Sequence, residues 1–523
     1  MTLRYSRRKS RSGLAALALL GLLAGSTAFA AWAPPVGIPA PPWPADLDVA
    51  RPAFPSPWTA ETAGWYFVSS SGCSDTGRTY GHPGAPRCSI PSSPAAGSKI
   101  VLNGTITGER VLSFSGTSGS PTWVMGYSTT SPPTATGSWA VEGSYKILDG
   151  IAFTSGSRDE NLALGGSNNM IRNLTFANSY SSNNGCVVYA GGTNNVMHRC
   201  TISQSGNWQY TGSDVDRHGV KIESANGLWF VDSVFHHIQG DGIQVGDQTN
   251  AASAINKVYI GRNQAHHNLQ SCFWTKNATD VIMSENVCSD ITFSPGGDGQ
   301  GMGGQYDPKH VWFLYNTIYN TKAGIKVSGA SAGTGGPWYM IGNRIYSVQS
   351  DSCNNYDMGA LSFRNSGGAT MLFNTVHDVD MFVAVPTGTG ITVKNNIFSS
   401  QRAAGCAALD VDVSFSHDYN LYSASGYVPG SEANKVVAAP QFVNAAAGNF
   451  ALQAGSPAVN AANPAEEAAF AAFQARYGLS IKKDYAGTSR PQGTRWDIGA
   501  YEYPSGGVPD PRIPNPPSNL RIQ

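Results

Sequence analysis

The chain has 523 residues, and its 34 basic residues match its 34 acidic ones. Five of the basic residues lie in the first thirty positions, which hold no acidic residue, so the rest of the chain is mildly acidic. This balance argues against a nucleic-acid-binding protein, which would need a basic surface, but it leaves an acidic polysaccharide open as a ligand, because local fields can oppose the overall charge.

The first thirty residues have the layout of a cleaved signal peptide. A basic stretch from Arg4 to Arg11 precedes the apolar run LAALALLGLLAG, and small residues end at Ala28-Phe29-Ala30. The apolar run is too short for a membrane span, and no later segment is long and apolar enough to form one. We therefore expect residues 1–30 to be removed and the mature chain to be a secreted or periplasmic monomer.

The next two segments differ in composition. Residues 31–60 are rich in proline and alanine, which indicates an extended linker. In residues 61–138, short apolar segments such as WYFVSS, SKIVLNGTI and VLSFSG are separated by turn residues. This second segment predicts an N-terminal cap followed by the first coils of a domain built from short strands.

Residues 139–437 contain a repeat of strand, polar turn and strand. Segments such as WFVDSVF, VIMSENVC, WFLYNTIY and MLFNTVH recur at intervals of about 21 to 33 residues, which is typical of one unit of a solenoid. An asparagine at the turn tolerates the left-handed conformation and can hydrogen-bond the asparagine of the next coil. These asparagines are Asn173, Asn263, Asn286, Asn316, Asn343, Asn374 and Asn395.

A second recurring strand is interleaved with the first, in the segments GVKIE, GIQVG, CFWTK, GMGGQ, GIKVS and ALSFR. Alternate residues of a strand point to opposite faces, and the mostly apolar set is expected to face inward. In the outward columns a notch at Gly246 is expected between Glu223 and Lys276, and Gly303 adds a floor without side chains. One column runs Lys221, Gln244, Trp274, Gly303, Lys326, Ser362, and the other runs Glu223, Gly246, Lys276, Gln305, Ser328, Arg364.

Neither cysteine nor histidine spacing predicts a metal site. The pairs His236/His237 and His266/His267 predict stacked polar ladders rather than zinc ligands, because no third ligand stands at metal spacing. Export permits disulfides, and the close spacing of the cysteines favours sequential pairing as a hypothesis. The expected pairs are Cys73–Cys88, Cys186–Cys200, Cys272–Cys288 and Cys353–Cys406.

Residues 438–503 break the repeat and predict a closing segment with one helix. Asn463 as N-cap, Pro464 in the first turn and Gly478 at the end enclose an Ala/Phe-rich run. Residues 504–523 are proline-rich and predict a tail without a core of its own.

Residues 65 to 503 resemble the right-handed parallel β-helix superfamily of pectate lyase-like polysaccharide lyases. The resemblance rests on WYFVSSSG and AGSKIVLNGTI at the entry, YKILDGIAF at the first full coil, DGIQVG and NTIYN in the repeats, and DYAGTSRPQGTRWDIGAYEY at the exit. It implies an all-β solenoid with an N-terminal cap and a small C-terminal segment containing one helix. This fold hosts lyases, hydrolases, epimerases and inert adhesins, so it does not decide the reaction.

The resemblance implies a lyase that cleaves a uronic-acid-containing glycan by β-elimination. In such families Lys or Arg commonly acts as the base, and calcium commonly neutralises the substrate carboxylate. The loop and strand from Asp214 to Glu223 and the outward columns supply the candidate residues. The catalytic candidates are Lys276, Arg217, His218 and Tyr306; the substrate-binding candidates are Lys221, Trp274, Lys326 and Arg364; the candidate calcium ligands are Glu223, Asp241 and Asp247.

Alternatives remain open for the residues and for the function. Lys276 could be a solvated strand lysine, Asp241 a turn residue before Gly242, and Tyr306 part of a loop tightened by Pro308. An epimerase would use the same fold and return the proton to the other face of the sugar. A non-catalytic exopolysaccharide-binding protein is a further alternative, whereas a polygalacturonase-type hydrolase is disfavoured because its paired aspartates are not found.

Overall fold

The computed structural model describes residues 31–504, except for residues 155–159, 178–184, 209–215, 252, 292–298, 331–333, 351–358, 404 and 464–465. The predicted signal peptide and residues 505–523 of the predicted tail lie outside the described residues.

The chain winds into a right-handed parallel β-helix of about 11 turns, as predicted. The strands of successive turns stack into three sheets, which we name the first, second and third sheet in their order along a turn. All pairings between turns in the described residues are parallel; the hairpin Phe442–Asn444 with Asn449–Leu452 is antiparallel. Two long strands, Gly185–His198 and Arg217–Val231, pass through a corner and belong to both the first and the second sheet.

The remaining strands divide among the three sheets. The first sheet contains Arg110–Leu112, Trp139–Val141, Leu162–Leu164, Ile243–Val245, Ser271–Thr275, Gln300–Tyr306, Ala323–Gly329, Leu361–Arg364, Val383–Val385 and Leu409–Val411. The second contains Trp65–Ser69, Lys99–Asn103, Thr122–Gly126, Lys146–Asp149, Met170–Arg172, Ile255–Gly261, Thr279–Ser284, Lys309–Leu314, Trp338–Ile341, Ala369–Leu372, Ile391–Lys394 and Phe415–Asp418. The third contains Thr105–Ile106, Thr134–Thr136, Ala152–Thr154, Thr175–Phe176, Thr201–Ser205, Val234–Ile238, Gln264–His266, Val287–Ile291, Thr317–Thr321, Arg344–Val348, Thr375–Val379, Ile397–Gln401, Leu421–Tyr422 and Val436–Val437.

The predicted register of the first sheet is confirmed. Ile243 pairs with Val220 on one side and with Phe273 on the other, and the same alignment continues to Leu361. The inward side chains form continuous rows in the core because each strand presents the same alternation to the next one. The inward residues, all of them buried, are Val220, Ile222, Ile243, Val245, Phe273, Thr275, Met302, Gly304, Ile325, Val327, Leu361 and Phe363.

A buried ladder of asparagines closes the corner between the second and third sheets. Each backbone N–H donates to the side-chain oxygen of the asparagine one turn further on, at 2.9–3.0 Å. Each side-chain Nδ2 donates to a backbone carbonyl of the preceding turn, at 2.7–3.0 Å. The ladder starts below Ser233 and ends on the buried Glu432 carboxylate. Its members are Asn263, Asn286, Asn316, Asn343, Asn374, Asn396 and Asn420.

Two of the predicted ladder asparagines were wrong. Asn173 and Asn395 have φ of 52° and 57°, whereas the ladder members that follow such a left-handed residue do not themselves have a positive φ. At this corner the residue directly before each ladder asparagine has the left-handed backbone conformation, and the ladder asparagine itself does not. Asn396, one residue after Asn395, is the ladder member, and Asn173 instead donates to Asp149.

Both ends of the described chain pack on the outer face of the second sheet. Residues 31–58, which their composition assigns to a linker, bury Trp32, Leu47 and Trp58 in an apolar cluster with that sheet. Arg172 on the sheet donates to the Leu47 and Val49 carbonyl oxygens of this segment. We name residues 31–58 the N-terminal strap.

The closing segment covers the rest of the same face. Its helix, Ala468–Tyr477, places Phe470 and Phe473 in the apolar cluster and ends at Gly478, which is left-handed with φ 71°. The predicted end is confirmed, but the helix starts after Glu467 rather than at Asn463. The Asn463 backbone N–H instead donates to the Asn395 side chain, and Pro464 lies outside the described residues. Two short 3-10 helices, Ser425–Tyr427 and Ala445–Ala447, precede this helix.

The cysteines follow the predicted pairing in part. Cys73–Cys88 and Cys272–Cys288 are disulfides, and Cys406 is also disulfide-bonded, although its predicted partner Cys353 lies outside the described residues. The predicted pair Cys186–Cys200 is wrong, because both thiols are free and buried. The strand register explains this: Ile202, not Cys200, occupies the position on the third sheet that corresponds to Cys288.

The predicted histidine ladders are confirmed. The His236 ring stacks on the His266 ring at 5.1 Å, and the His237 ring stacks on the His267 ring at 5.0 Å. Burial lowers the pKa of both His236 and His266 to about 4, so these stacked rings are neutral near pH 7. In the part of the chain that the structure describes, no helix is long and apolar enough to cross a membrane.

We predict that Asn316→Ala lowers the free energy of unfolding by on the order of 3 kcal/mol, because it leaves buried N–H and carbonyl groups without partners. The Asn286 N–H and side-chain amide both donate to the Asn316 oxygen, and Asn316 donates to the Met283 carbonyl. Denaturant unfolding of the exposed control Asn434→Ala should show a much smaller loss. Equal losses for the two variants would contradict a stabilising role of the ladder.

Candidate functional site

Two adjoining cavities lie on the outer side of the first sheet. The larger has a volume of about 320 Å³ and the smaller about 100 Å³, and both are lined by Asp216, Gln244, Lys276 and Gln305. The other residues of the larger cavity are His218, Lys221, Asp247, Gln248, Thr249 and Tyr306. The other residues of the smaller cavity are Asp241, Gln270, Trp274 and Gln300.

The strand register brings these side chains together. Lys221, Gln244 and Trp274 stand side by side on neighbouring strands, and the Lys276 backbone N–H continues the ladder of sheet hydrogen bonds by donating to the Val245 carbonyl at 2.7 Å. Most of the predicted catalytic residues and two of the predicted substrate-binding residues therefore meet in one place. The turn after Val245 supplies the other wall of the larger cavity.

The next residue in the column, Gly303, does not form the open floor that the sequence predicts. A Cβ atom at Gly303 would lie 1.9 Å from the Lys326 carbonyl oxygen and 2.5 Å from the Trp274 ring, so the indole occupies this space. Trp274 is only 6% exposed as a result. It forms part of a cavity wall rather than a broad apolar platform.

Lys276 stands at the junction of the two cavities. It lines both of them and is half-buried. Among the described residues, its ammonium group makes no hydrogen bond or ion pair, although it is close enough to His218 to act on that ring electrostatically. Lys276 is therefore the cation of this site that is not already paired with a side chain.

Lys221 belongs to a paired cluster. Its ammonium lies 2.8 Å from one Glu223 carboxylate oxygen, and the Tyr189 hydroxyl donates to the other at 2.6 Å. The hydrogen bonds from Lys221 and Tyr189 lower the pKa of Glu223. Burial alone would lower the pKa of Lys221, but its hydrogen bond with Glu223 raises it. Both groups are therefore charged at neutral pH, with Lys221 lining the larger cavity.

His218 is a buried, neutral hydrogen-bond donor. Its Nδ1 accepts the Asp241 backbone N–H at 3.0 Å, so in the neutral ring the proton resides on Nε2. Burial lowers its pKa to about 3, and the positive charges of Lys276, Lys221 and Arg217 act in the same direction, opposing Asp216. The buried Nε2 has no hydrogen-bond partner, and an Asp216 carboxylate oxygen lies 3.9 Å from it. On the other side of the ring, an Asp241 carboxylate oxygen lies 3.4 Å from Nδ1, farther than the N–H that Nδ1 accepts.

Arg217 and Asp241 lie deeper than predicted. Arg217 is fully buried and lines neither cavity, so its charge acts on the site through its neighbours. Asp241 lines the smaller cavity and accepts the Ser271 hydroxyl at 2.5 Å. Both residues act on His218, Arg217 electrostatically and Asp241 through its backbone N–H.

Tyr306 covers one side of the larger cavity. Its hydroxyl donates to the Gln248 side-chain oxygen at 3.2 Å, across two turns of the solenoid. Its backbone is left-handed, with φ 72°, which is unusual for an aromatic residue and turns the end of the strand Gln300–Tyr306 toward the cavity. The hydroxyl therefore faces the same space as Lys276.

The predicted calcium ligands do not fit a calcium site. Asp247 Oδ1 accepts the Thr249 N–H, the Thr249 hydroxyl and the Asn250 N–H, and Glu223 is held by Lys221 and Tyr189. In the described part of the chain, no three His, Cys, Asp or Glu side chains converge on one point in a way that could hold a metal ion. Calcium requires six to eight oxygen ligands, so these scattered, occupied carboxylates do not supply a coordination shell.

Several predicted residues lie away from the cavities, and several lining residues were missed. Lys326, Arg364 and Glu223 line neither cavity, and Asp214 lies outside the described residues. The lining includes five glutamines. Gln244 and Gln305 were visible as outward positions, whereas the other three stand outside the aligned columns, where the sequence carries no signal. The five are Gln244, Gln248, Gln270, Gln300 and Gln305.

No protein-family model and no curated protein matches this chain. Among solved structures, it is similar to a PL6 family alginate lyase with a TM-score of 0.46 and 14% identity, over 77% of this chain and 55% of that protein. A pectate lyase is similar with a TM-score of 0.40 and 14% identity, over 84% of this chain and 96% of that protein. An E. coli bacteriophage tailspike protein in complex with a hexasaccharide is similar with a TM-score of 0.38 and 13% identity, over 66% of this chain and 67% of that protein.

The parallel β-helix that the resemblance implied is confirmed by the strand pairing of the chain itself. The chain spans little more than half the length of the alginate lyase. The function must be argued from the site.

We predict that His218 remains neutral, with the proton on Nε2, down to about pH 4, because burial holds its pKa at about 3. Nitrogen NMR of the labelled ring should show this tautomer from pH 8 to 4. A protonation midpoint near the ordinary value of 6.5 would contradict the prediction.

The same lowered pKa makes stability depend on pH. Between pH 6.5 and about 3 the unfolded chain binds a proton at this histidine that the folded protein does not, so the free energy of unfolding falls as the pH falls. We expect the free energy of unfolding to fall less between pH 7 and pH 4.5 in His218→Gln than in the unsubstituted protein, as measured by denaturant unfolding. The glutamine oxygen can still accept the Asp241 N–H. An unchanged loss would assign the pH dependence to other groups.

Proposed function

We propose that this chain is an exported polysaccharide lyase that cleaves an acidic glycan by β-elimination in the cavities around Lys276. The observation that carries the proposal is the lysine itself. Its ammonium is unpaired among the described residues and stands where the two cavities meet, beside a buried N–H donor that also has no partner. A polysaccharide chain lying across both cavities would place a glycosidic bond at this lysine.

The larger cavity is suited to the uronate. Lys221 and the His218 Nε2–H line it and can both approach a carboxylate. The proton beside a carboxylate is barely acidic until the negative charge that develops on that group is stabilised. A fixed, buried N–H and a lysine supply such stabilisation without any group having to reorganise during the reaction.

Lys276 is the base in this scheme. Its neutral amine takes the C5 proton of the uronate, the C–H electron pair forms the C4–C5 double bond, and the C4–O bond breaks. The Tyr306 hydroxyl donates its proton to the departing oxygen, and the lysine proton then returns to the tyrosine through solvent. His218 cannot act as the base, because its Nε2 already holds a proton and its Nδ1 accepts the Asp241 N–H.

Calcium has no part in this scheme. The carboxylates predicted as its ligands are occupied and dispersed, whereas Lys221 and the His218 N–H can oppose the substrate charge. A lysine-based site would make the reaction independent of added divalent ions.

Export is supported by the disulfides Cys73–Cys88 and Cys272–Cys288. Such bonds form and persist in oxidising compartments, which include the bacterial periplasm and the extracellular space. A polysaccharide substrate would be met in the same compartments.

We expect the mature protein to release unsaturated uronates from at least one acidic glycan, detected by the rise of their ultraviolet absorbance. The panel is pectate, alginate, glucuronan, hyaluronan and chondroitin. Proton NMR of the recovered polymer separates the alternatives, because an epimerase would change sugar configuration without this absorbance and a binding protein would change neither. Absence of a rise on every glycan would refute the lyase.

We expect Lys276→Ala to lower the rate at least about 100-fold, the usual scale for removing a general base. The matched control is Lys435→Ala, an exposed lysine near the C-terminal end of the solenoid, which should leave the rate unchanged. Circular dichroism of both variants establishes that the fold is intact. Full activity of folded Lys276→Ala would remove this lysine as the base.

We expect activity to survive EDTA and to be unaffected by added calcium, because no described carboxylate cluster supplies a coordination shell. The measurement is the absorbance assay with EDTA and after calcium is restored. Loss of activity that calcium restores would contradict a reaction based only on the protein's cations.

A further inference from the structure

We propose that the substrate alternates a uronate with a neutral sugar, and that the smaller cavity binds the neutral sugar. This inference rests on the proposed lyase function and names the class of glycan. The observations that carry it are the different charges that line the two cavities and a buried, unpartnered acceptor on Gln244, a residue that lines both of them.

The two cavities share Lys276 and Asp216 but differ in their other charges. The larger cavity adds Lys221 and Asp247, and it alone contains the unpartnered His218 N–H. The smaller adds Asp241 and has no further cation among its lining residues. With Lys276 neutral as the base, a carboxylate in the larger cavity meets the Lys221 ammonium and an N–H donor together with two aspartates. A carboxylate in the smaller cavity meets two aspartates and no lysine or arginine other than the base.

The polar groups of the smaller cavity are suited to a sugar without charge. Gln244 is only 3% exposed, and its side-chain oxygen is buried without a hydrogen-bond partner while lining both cavities. An unpaired acceptor of this kind favours a ligand that brings an O–H or N–H group, because a buried polar atom without a partner is costly. Sugar hydroxyl groups and the amide of an N-acetylhexosamine both supply such donors.

The position of Lys276 fixes the order of the sugars. The base must face the C5 proton of the uronate in the larger cavity, so the glycosidic oxygen at C4 points toward the junction. The sugar that carries this oxygen away then lies in the smaller cavity. In a homopolyuronate that sugar would bring a second carboxylate into the cavity that Asp216 and Asp241 line, where like charges repel.

The test compares kcat/KM on two groups of glycans. Hyaluronan and unsulfated chondroitin alternate a uronate with an N-acetylhexosamine, and pectate, alginate and glucuronan are homopolyuronates. We expect at least a tenfold preference for one alternating glycan over every homopolyuronate. Faster cleavage of a homopolyuronate would overturn the alternating assignment and leave the lyase intact.

Two variants test the electrostatic cause. Gln270→Arg places a cation in the smaller cavity alone, next to Asp216, to which the Gln270 amide donates at 3.4 Å. Asp216→Asn removes a carboxylate whose side chain is 59% exposed, so the fold should tolerate it. Each variant should shift the preference toward homopolyuronates by several-fold, whereas the exposed, remote control Asp412→Asn should not. No shift in either variant would overturn the charge argument.

Binding provides a readout that does not depend on cleavage. Calorimetry with hyaluronan and glucuronan oligosaccharides should give tighter binding of the alternating chain. If no glycan is cleaved but this ranking holds, the lyase proposal fails and the specificity of the surface stands. Tighter binding of glucuronan would overturn the inference whether or not cleavage occurs.

Discussion

The hydrogen bonds of the asparagine ladder fix the register between successive turns of the solenoid, and the rest of the structure depends on that register. Each ladder amide ties one turn to the turns on either side of it, so a turn cannot slip along its neighbour without losing buried hydrogen bonds. Because side chains alternate along a strand, a slip of one residue would exchange the inward and outward sets on every sheet. The ladder stands at one corner, yet it fixes which residues face solvent across the turn. The apolar rows of the core and the outward columns of the first sheet follow from that constraint.

The coverage of the sheets then decides where a ligand can bind. The N-terminal strap and the closing segment occupy the outer face of the second sheet with tryptophan, leucine and phenylalanine side chains. The stacked histidines occupy part of the third. On the first sheet, the turn after Val245 rises beside the strands and forms one wall of the larger cavity, and Tyr306 covers another side of it. The site is therefore an in-register array of outward-facing side chains, and the turn after Val245 supplies one of its walls.

The sequence predicts the solenoid and its register because both depend on local alternation and on a repeated corner. It predicts Lys276, Lys221, His218 and Tyr306 as neighbours for the same reason. Its errors at Asn395 and Cys200 amount to one or two residues, since corner conformation depends on the backbone of the adjoining turn.

Other features of the site depend on contacts that no local pattern reveals. The role of His218 follows from its burial and from the backbone N–H of Asp241, which lies on the next turn of the solenoid. The glutamines of the cavities were missed because most of them stand outside the aligned columns, where no periodicity marks them. The end of the ladder at Glu432, a residue outside the asparagine repeat, was missed for the same reason. Because the ladder ends on this carboxylate, its two ends differ chemically.

Every ladder asparagine accepts from the turn before it and donates to the turn after it, so the series needs a final group that accepts without passing a donor onward. A carboxylate does this: Glu432 receives the Asn420 N–H and the Tyr422 hydroxyl and offers no amide to a further turn. New turns can therefore be inserted between existing ones, where an asparagine meets an asparagine on both sides, but not appended past the terminator. Growth of such a protein by duplication of internal repeats would leave both ends of the solenoid unchanged, together with the N-terminal strap and the closing segment.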